Sequence, residues 1–288
     1  MKPVVHPLHH ADTGTWSYVV ADPATGVAAV IDPVLDYDAK SARTSTASAQ
    51  ALLDIAERNA YDVRWLLETH AHADHLSAAQ WLKDKLPNAS LAIGNGIRQV
   101  QQTFAARLDP DDAIATDGSQ FDHLFADDES FRIGELQVRA IPVPGHTCDS
   151  VAYLIGDALF TGDSLFMPDA GTARCDFPGG DAATLYRSIH RLYNELPDST
   201  RVFVCHDYGP DGRAPACETT LAEQKRTNIH VNLQVSEDDF VTRRTTRDAT
   251  LPMPALILPS LQVNLRGGRL PAPAANGVRY LMLPLDSL

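Results

Sequence analysis

Nowhere in its 288 residues does the chain hold an apolar run of the roughly 20 residues that a membrane-spanning helix needs. The opening Met1-Lys2-Pro3-Val4-Val5-His6 also lacks the apolar stretch of a secretory leader, so a cytoplasmic protein is expected. Cysteine is scarce. The thiols Cys148, Cys175, Cys205 and Cys217 show neither zinc-ribbon nor redox spacing, which predicts reduced, packing residues, not disulfides or metal ligands. Basic residues are in deficit too: 24 Lys and Arg face 37 Asp and Glu, for a net charge of −13 and a pI near 5.2. Such a surface argues against nucleic acid or an anionic membrane as partner. The pair Arg243-Arg244 reads as a solvated helix face. No internal repeat or low-complexity linker divides the chain. One domain over 1–288 is expected, wrapped by a proline-rich stretch that begins at about residue 232.

What the chain does hold is a dense set of ligating side chains. Thr69-His70-Ala71-His72-Ala73-Asp74-His75 places imidazoles and a carboxylate directly after the apolar run Val63-Arg64-Trp65-Leu66-Leu67. A buried strand that ends this abruptly delivers its polar groups to the C-terminal edge of a sheet. Imidazole with carboxylate suits zinc, iron or manganese, often with an open coordination position. Three later segments have the same form. Pro142-Val143-Pro144-Gly145-His146-Thr147 follows the run 136–141, Asp163 follows Leu159-Phe160-Thr161-Gly162, and His206 follows Arg201-Val202-Phe203-Val204-Cys205. Each lies just past a strand, where neighbouring loops can converge. Alone, such a residue is more often a cap or a surface group. The joint order points to a metal site.

That order resembles the metallo-β-lactamase superfamily, whose signature is His-x-His-x-Asp-His, then a His, an Asp and a last His. The matching positions are His70, His72, Asp74, His75, His146, Asp163 and His206, within a resemblance running from Trp16 to Lys225. It implies an α/β fold, the αββα sandwich, with two mixed sheets face to face and helices outside. Hydrophobic periodicity agrees, with β-like segments at 16–20, 28–31, 63–67, 91–93, 136–141, 151–155 and 201–204. Helix-like segments fall at 47–58, 78–86, 183–192 and 219–228. In the hydrolases of the superfamily, His70, His72 and His146 would hold one zinc. Asp74, His75 and His206 would hold a second, with Asp163 bridging.

The segment after Asp163 resembles one branch more closely. Gly171-Thr172-Ala173-Arg174-Cys175-Asp176-Phe177 is similar to the Gly-x-x-Arg-Thr-Asp-Phe run of persulfide (sulfur) dioxygenases, and Ala-Arg-Cys-Asp-Phe is the form in bacterial β-lactamase-hydrolase-like relatives. The stretch from Leu258 to Gly268 and His206-Asp207-Tyr208 resemble that branch too. The resemblance implies a single Fe(II) held by His70, His146 and Asp163, a facial triad with adjacent open positions. His72, Asp74, His75 and His206 would then orient the ligands by hydrogen bonds. The implied substrates are glutathione persulfide and O2, the products sulfite and glutathione, and the assembly a homodimer. Arg174 is expected to clamp a glutathione carboxylate, with a salt bridge to Asp176 or Asp181 as its other reading, and Tyr208 to contact the substrate. Cys175 has no assigned role. The rival readings are a two-zinc, glyoxalase II-like thioesterase and a ligand sensor that has kept the fold.

Overall fold

The computed structural model describes residues 2–108 and 114–286. Short β-branched and aromatic runs between turns build two six-stranded sheets. In spatial order the first holds Val4–His10, Thr15–Ala21, Val27–Ile31, Asp62–Leu67, Ser90–Gly94 and His123–Phe125. The second holds Ser130–Ile133, Leu136–Pro142, Val151–Ile155, Ala158–Phe160, Arg201–Phe203 and Glu218–Thr220. Both are mixed. Val27–Ile31, Asp62–Leu67 and Ser90–Gly94 run parallel, as do Ala158–Phe160 and Arg201–Phe203.

Alternation along each strand divides the apolar residues between layers. Leu67, Ala140 and Phe203 turn between the sheets, whereas their neighbours Leu66, Ile141 and Val202 turn outward to the helices. Tyr18, Phe160 and Phe203 fill the inner layer with ring centroids 5.0–5.7 Å apart. Ala47–Arg58, Ala79–Lys85, Ile97–Leu108 and Ile257–Asn264 cover the first sheet. Ala182–Glu195, Leu221–Thr227 and Glu237–Asp248 cover the second. This is the αββα sandwich. The helix Ala182–Glu195 shows the local logic: Asp181 accepts the Thr184 N–H at 2.7 Å, and Leu185, Ile189 and Leu192 form its buried stripe.

The strand Val4–His10 and the helix Ile97–Leu108 were not among the expected segments, and further departures lie toward the C-terminus. The predicted helix 219–228 begins at Leu221, because Glu218–Thr220 pairs with Arg201–Phe203 as an edge strand rich in β-branched threonine. Glu237–Asp248 supplies the helix face expected at Arg243-Arg244, but it buries Phe240, Arg244 and Asp248. Its inner stripe is largely an ion pair, which apolar periodicity cannot register. Arg244 is therefore not solvated: its Nε and Nη2 donate to Asp248 Oδ1 at 2.8 and 2.6 Å, and only Arg243 stays outside. In Ile257–Asn264, Pro259 sits in the first turn, where its missing N–H leaves no helical bond unmade. Among the described residues no helix is long and apolar enough to cross a membrane.

Candidate metal centre

The loops that follow Val27–Ile31, Asp62–Leu67, Leu136–Pro142, Ala158–Phe160 and Arg201–Phe203 meet at one edge of the sandwich. Thr69 O accepts the Val151 N–H at 2.8 Å and ties the two sheets together there. Gly162 has φ of 51°, and a Cβ on it would lie 2.9 Å from the Thr69 side chain, so glycine lets the Asp163 loop press against the histidine loop.

The ligating side chains separate into two groups. His70, His146 and Asp163 each offer one atom within 4.8 Å of the others, and so do His72, Asp74, His75 and His206. Asp163 stands between them. Its Oδ2 lies 3.9 Å from His70 Nε2 and 3.6 Å from His146 Nε2, and its Oδ1 lies 3.6 Å from His206 Nε2. All of these residues are buried except Asp74, which is half-buried.

Surrounding groups fix the rings. His146 Nδ1–H donates to Arg174 O at 2.6 Å, which leaves Nε2 as the free lone pair facing Asp163. His70 Nδ1 lies 3.0 Å from Thr69 Oγ1. His72 is turned differently: its Nε2 lies 3.1 Å from Asp32 Oδ1 and 3.6 Å from Glu68 Oε2, contacts that are electrostatic and not aligned as hydrogen bonds. Asp32 also accepts from Thr69 N and Oγ1, at 2.7 and 2.9 Å, so one carboxylate orients the start of the whole loop. The Thr15 hydroxyl lies 3.4 and 3.5 Å from Nδ1 of His75 and His206.

The donor atoms fit a cation. His70 Nε2, His75 Nε2, His206 Nε2, His72 Nδ1, Asp74 Oδ2 and Asp163 Oδ1 are buried without a hydrogen-bond partner. A polar atom left in this state costs about 1–3 kcal/mol, so these atoms, spread over the two groups, suit the binding of cations. Burial, followed by the neighbouring imidazoles, holds His70 and His72 well below the usual histidine range, in the neutral form that binds metals. Burial alone would raise Asp74, but His206 and His75 outweigh it and keep the carboxylate ionised. Asp163 is pushed up by burial against the opposing pull of His206 and His146. Cys205 also reaches this cluster, yet burial and then Asp32 drive its thiol upward, away from the ligating thiolate. All four cysteines are free.

Two supports escaped the sequence reading. Asn264, on the last turn of Ile257–Asn264, donates from Nδ2 to His72 O and His75 O, both at 2.8 Å, and accepts the Ser77 N–H at 2.8 Å. Asp149 Oδ2 accepts the Ala71 N–H at 2.8 Å. Asn264 sits in the apolar run Leu261-Gln262-Val263-Asn264-Leu265, and a buried amide among apolar residues was the available signal.

A cavity of about 300 Å³ opens over Asp163 and His146, walled by Phe166, Phe177 and Tyr208. The Tyr208 ring stacks on His206 at 5.9 Å with its outer face exposed. Arg174 also lines the cavity, but the fork expected to clamp a substrate carboxylate is closed on Asp176, with Nε to Oδ1 at 2.6 Å and Nη2 to Oδ2 at 2.7 Å. Its Nη1 donates to Pro252 O at 2.6 Å. Asp181, the other partner considered, caps a helix instead. Cys175 is buried, and its N–H donates to Asp248 Oδ2 at 2.7 Å, a backbone role.

The sequence pattern described as the metallo-beta-lactamase superfamily matches residues 11–206, which include every proposed ligand. The chain belongs to the metallo-beta-lactamase superfamily. This superfamily member is 51% identical to a probable metallo-hydrolase of Burkholderia pseudomallei, over 96% of this chain and 97% of that protein. It is 53% identical to a beta-lactamase hydrolase-like protein of Agrobacterium fabrum, covering 96% of this chain but only 64% of that protein. The human mitochondrial persulfide dioxygenase ETHE1 is 29% identical over 88% of this chain and 84% of its own length. Among solved structures, ETHE1 from Myxococcus xanthus superposes with a TM-score of 0.74 at 30% identity, over 92% of this chain and 100% of that one.

Proposed function

We propose that this chain is a non-heme iron persulfide dioxygenase that oxidises glutathione persulfide with O2 to sulfite and glutathione. The observation that carries the reading is the grouping of His70, His146 and Asp163 apart from His72, whose Nε2 faces Asp32. Two imidazoles and one carboxylate suit ferrous iron, and Fe(II) held there would supply electrons to dioxygen beside the substrate sulfur. The chain's own residues do the rest. Arg174 O holds the His146 ring, Asp32 holds the loop carrying His70, and Phe166 and Phe177 wall the cavity. In the balanced reaction one water supplies the third sulfite oxygen and two protons leave. His72, Asp74, His75 and His206 orient the site and set its field. Similarity to the persulfide dioxygenase ETHE1 of human and to the Myxococcus xanthus structure supports this reading.

A second reading, a two-zinc thioesterase acting on glutathione thioesters, is favoured by the group His72, Asp74, His75 and His206 and by the hydrolase names of near relatives. The test is oxygen uptake with glutathione persulfide on protein of assayed metal content. We expect one iron per chain and sulfite formation. Two zinc ions per chain, with thioester hydrolysis and no oxygen uptake, would replace the dioxygenase with the hydrolase.

A further inference from the structure

The outer wall of the cavity is cationic in a chain whose net charge is −13. Arg174, Arg244 and Arg247 all reach it, and two of them are committed. Arg174 is closed on Asp176 and Pro252 O. Arg244 is closed on Asp248 and donates its Nη1 to Thr172 O at 3.1 Å. Arg247 is exposed, and its guanidinium has no hydrogen bond or ion pair among the described residues, only its backbone carbonyl being taken up, by Thr250. Its place in the last turn of the helix suits a cation, but two like charges oppose it. Arg243 and Arg244 lie four and three residues before it, and like charges at those spacings repel by about 0.2–0.5 kcal/mol each.

A second feature reports the same field. The His230 ring lies against Gly171, where a Cβ would come within 2.1 Å of its Nδ1, and it lines the cavity beside these arginines. Burial, then Arg244, Arg247 and Arg243, push its pKa down to about 4, so the ring adds no charge and Arg247 is the uncommitted cation of this wall.

We propose that Arg247 anchors a carboxylate of the thiol carrier at the outer end of the cavity, the role the sequence had assigned to Arg174. The inference rests on the persulfide reading and deepens it. The chain oxidises persulfides of small carboxylate-bearing thiols in preference to those without a carboxylate. A cavity of about 300 Å³ is at the small end of ligand sites and suits a tripeptide-sized carrier.

The experiment compares wild type with Arg247→Gln, Arg247→Glu and Arg247→Lys on glutathione persulfide and on cysteamine persulfide, which lacks a carboxylate. Calorimetric binding of unreactive S-methylglutathione runs alongside. For glutathione persulfide, Arg247→Gln should raise KM by roughly tenfold or more with kcat within about twofold. Arg247→Glu should raise KM further, and Arg247→Lys should recover part of the loss. S-methylglutathione should weaken in step, while cysteamine persulfide is unaffected. Equal losses on both substrates, or unchanged KM and unchanged binding, would overturn the anchor. If wild type consumes no oxygen with either persulfide yet binds S-methylglutathione through Arg247, the anchor stands and the dioxygenase reading falls.

Discussion

Replacing Asn264 by aspartate should damage this protein more than replacing it by alanine, although aspartate is nearly isosteric. Asn264 makes three hydrogen bonds at 2.8 Å, one accepted from Ser77 N–H and two donated to the carbonyls of His72 and His75, and it is 5% exposed. At about 0.5–1.5 kcal/mol net each, Asn264→Ala loses roughly 2–4 kcal/mol. Asn264→Asp keeps the bond from Ser77, but its second oxygen faces two carbonyl oxygens with nothing to donate. An uncompensated buried charge of this kind typically costs about 3–5 kcal/mol. The burden should ease on acidification. A carboxyl whose pKa is raised in the folded state binds its proton there first, so the variant gains stability relative to wild type as pH falls through that raised value. The assay is urea denaturation of metal-free protein at pH 8 and pH 5, with metal content measured after reconstitution. An Asn264→Asp protein as stable as wild type at pH 8, or more stable than Asn264→Ala there, would refute the reasoning.

Three further outcomes are expected. His146→Ala should lose its iron, whereas His72→Ala should keep much of it and lose about 10–100-fold in activity; equal metal loss by elemental analysis would make His72 a direct ligand. His230 is held near pKa 4, below the ordinary histidine value of 6.5, so the unfolded chain takes up the proton first and stability falls as pH drops from 6.5 toward 4. Between pH 7 and 5 this should contribute about 2 kcal/mol, and His230→Gln should flatten that slope in denaturant titrations. Arg174→Ala should cost about 1 kcal/mol of stability through loss of the partly exposed Asp176 pair, seen as a lower melting temperature, and leave KM for glutathione persulfide unchanged. A raised KM with unchanged melting would return the carboxylate clamp to Arg174.

The sandwich was legible because its strands carry a period-two pattern and its site residues lie in sequence beside them. His70 to His75, His146, Asp163 and His206 each follow a strand directly, and the fold brings those strand ends together. What stayed hidden depends on pairing across distance. Arg174 reads equally as a substrate clamp or as the partner of Asp176 or Asp181, and only the fold shows Asp176 taking its Nε and Nη2. Arg244 reads as surface until its helix is docked and Asp248 is found four residues on. Asp32 and Asn264 carry no motif of their own, because their work is done on atoms 37 and 192 residues away.

That separation sets an order of events during synthesis. Asn264 leaves the ribosome 192 residues after His72, an interval of roughly 10–40 s at ordinary elongation rates. Throughout it the nascent chain carries imidazoles on a loop whose final clasp has not been made. An open, flexible set of nitrogen donors follows the intrinsic affinity series, in which copper and zinc outrank ferrous iron. On the proposed iron reading, closure imposes the two-histidine, one-carboxylate geometry, and the metal content of the mature protein is then expected to depend on whether capture precedes or follows closure. Refolding from denaturant with mixed zinc and iron added before or after folding should give different metal ratios, and identical ratios would show that timing has no part in the choice.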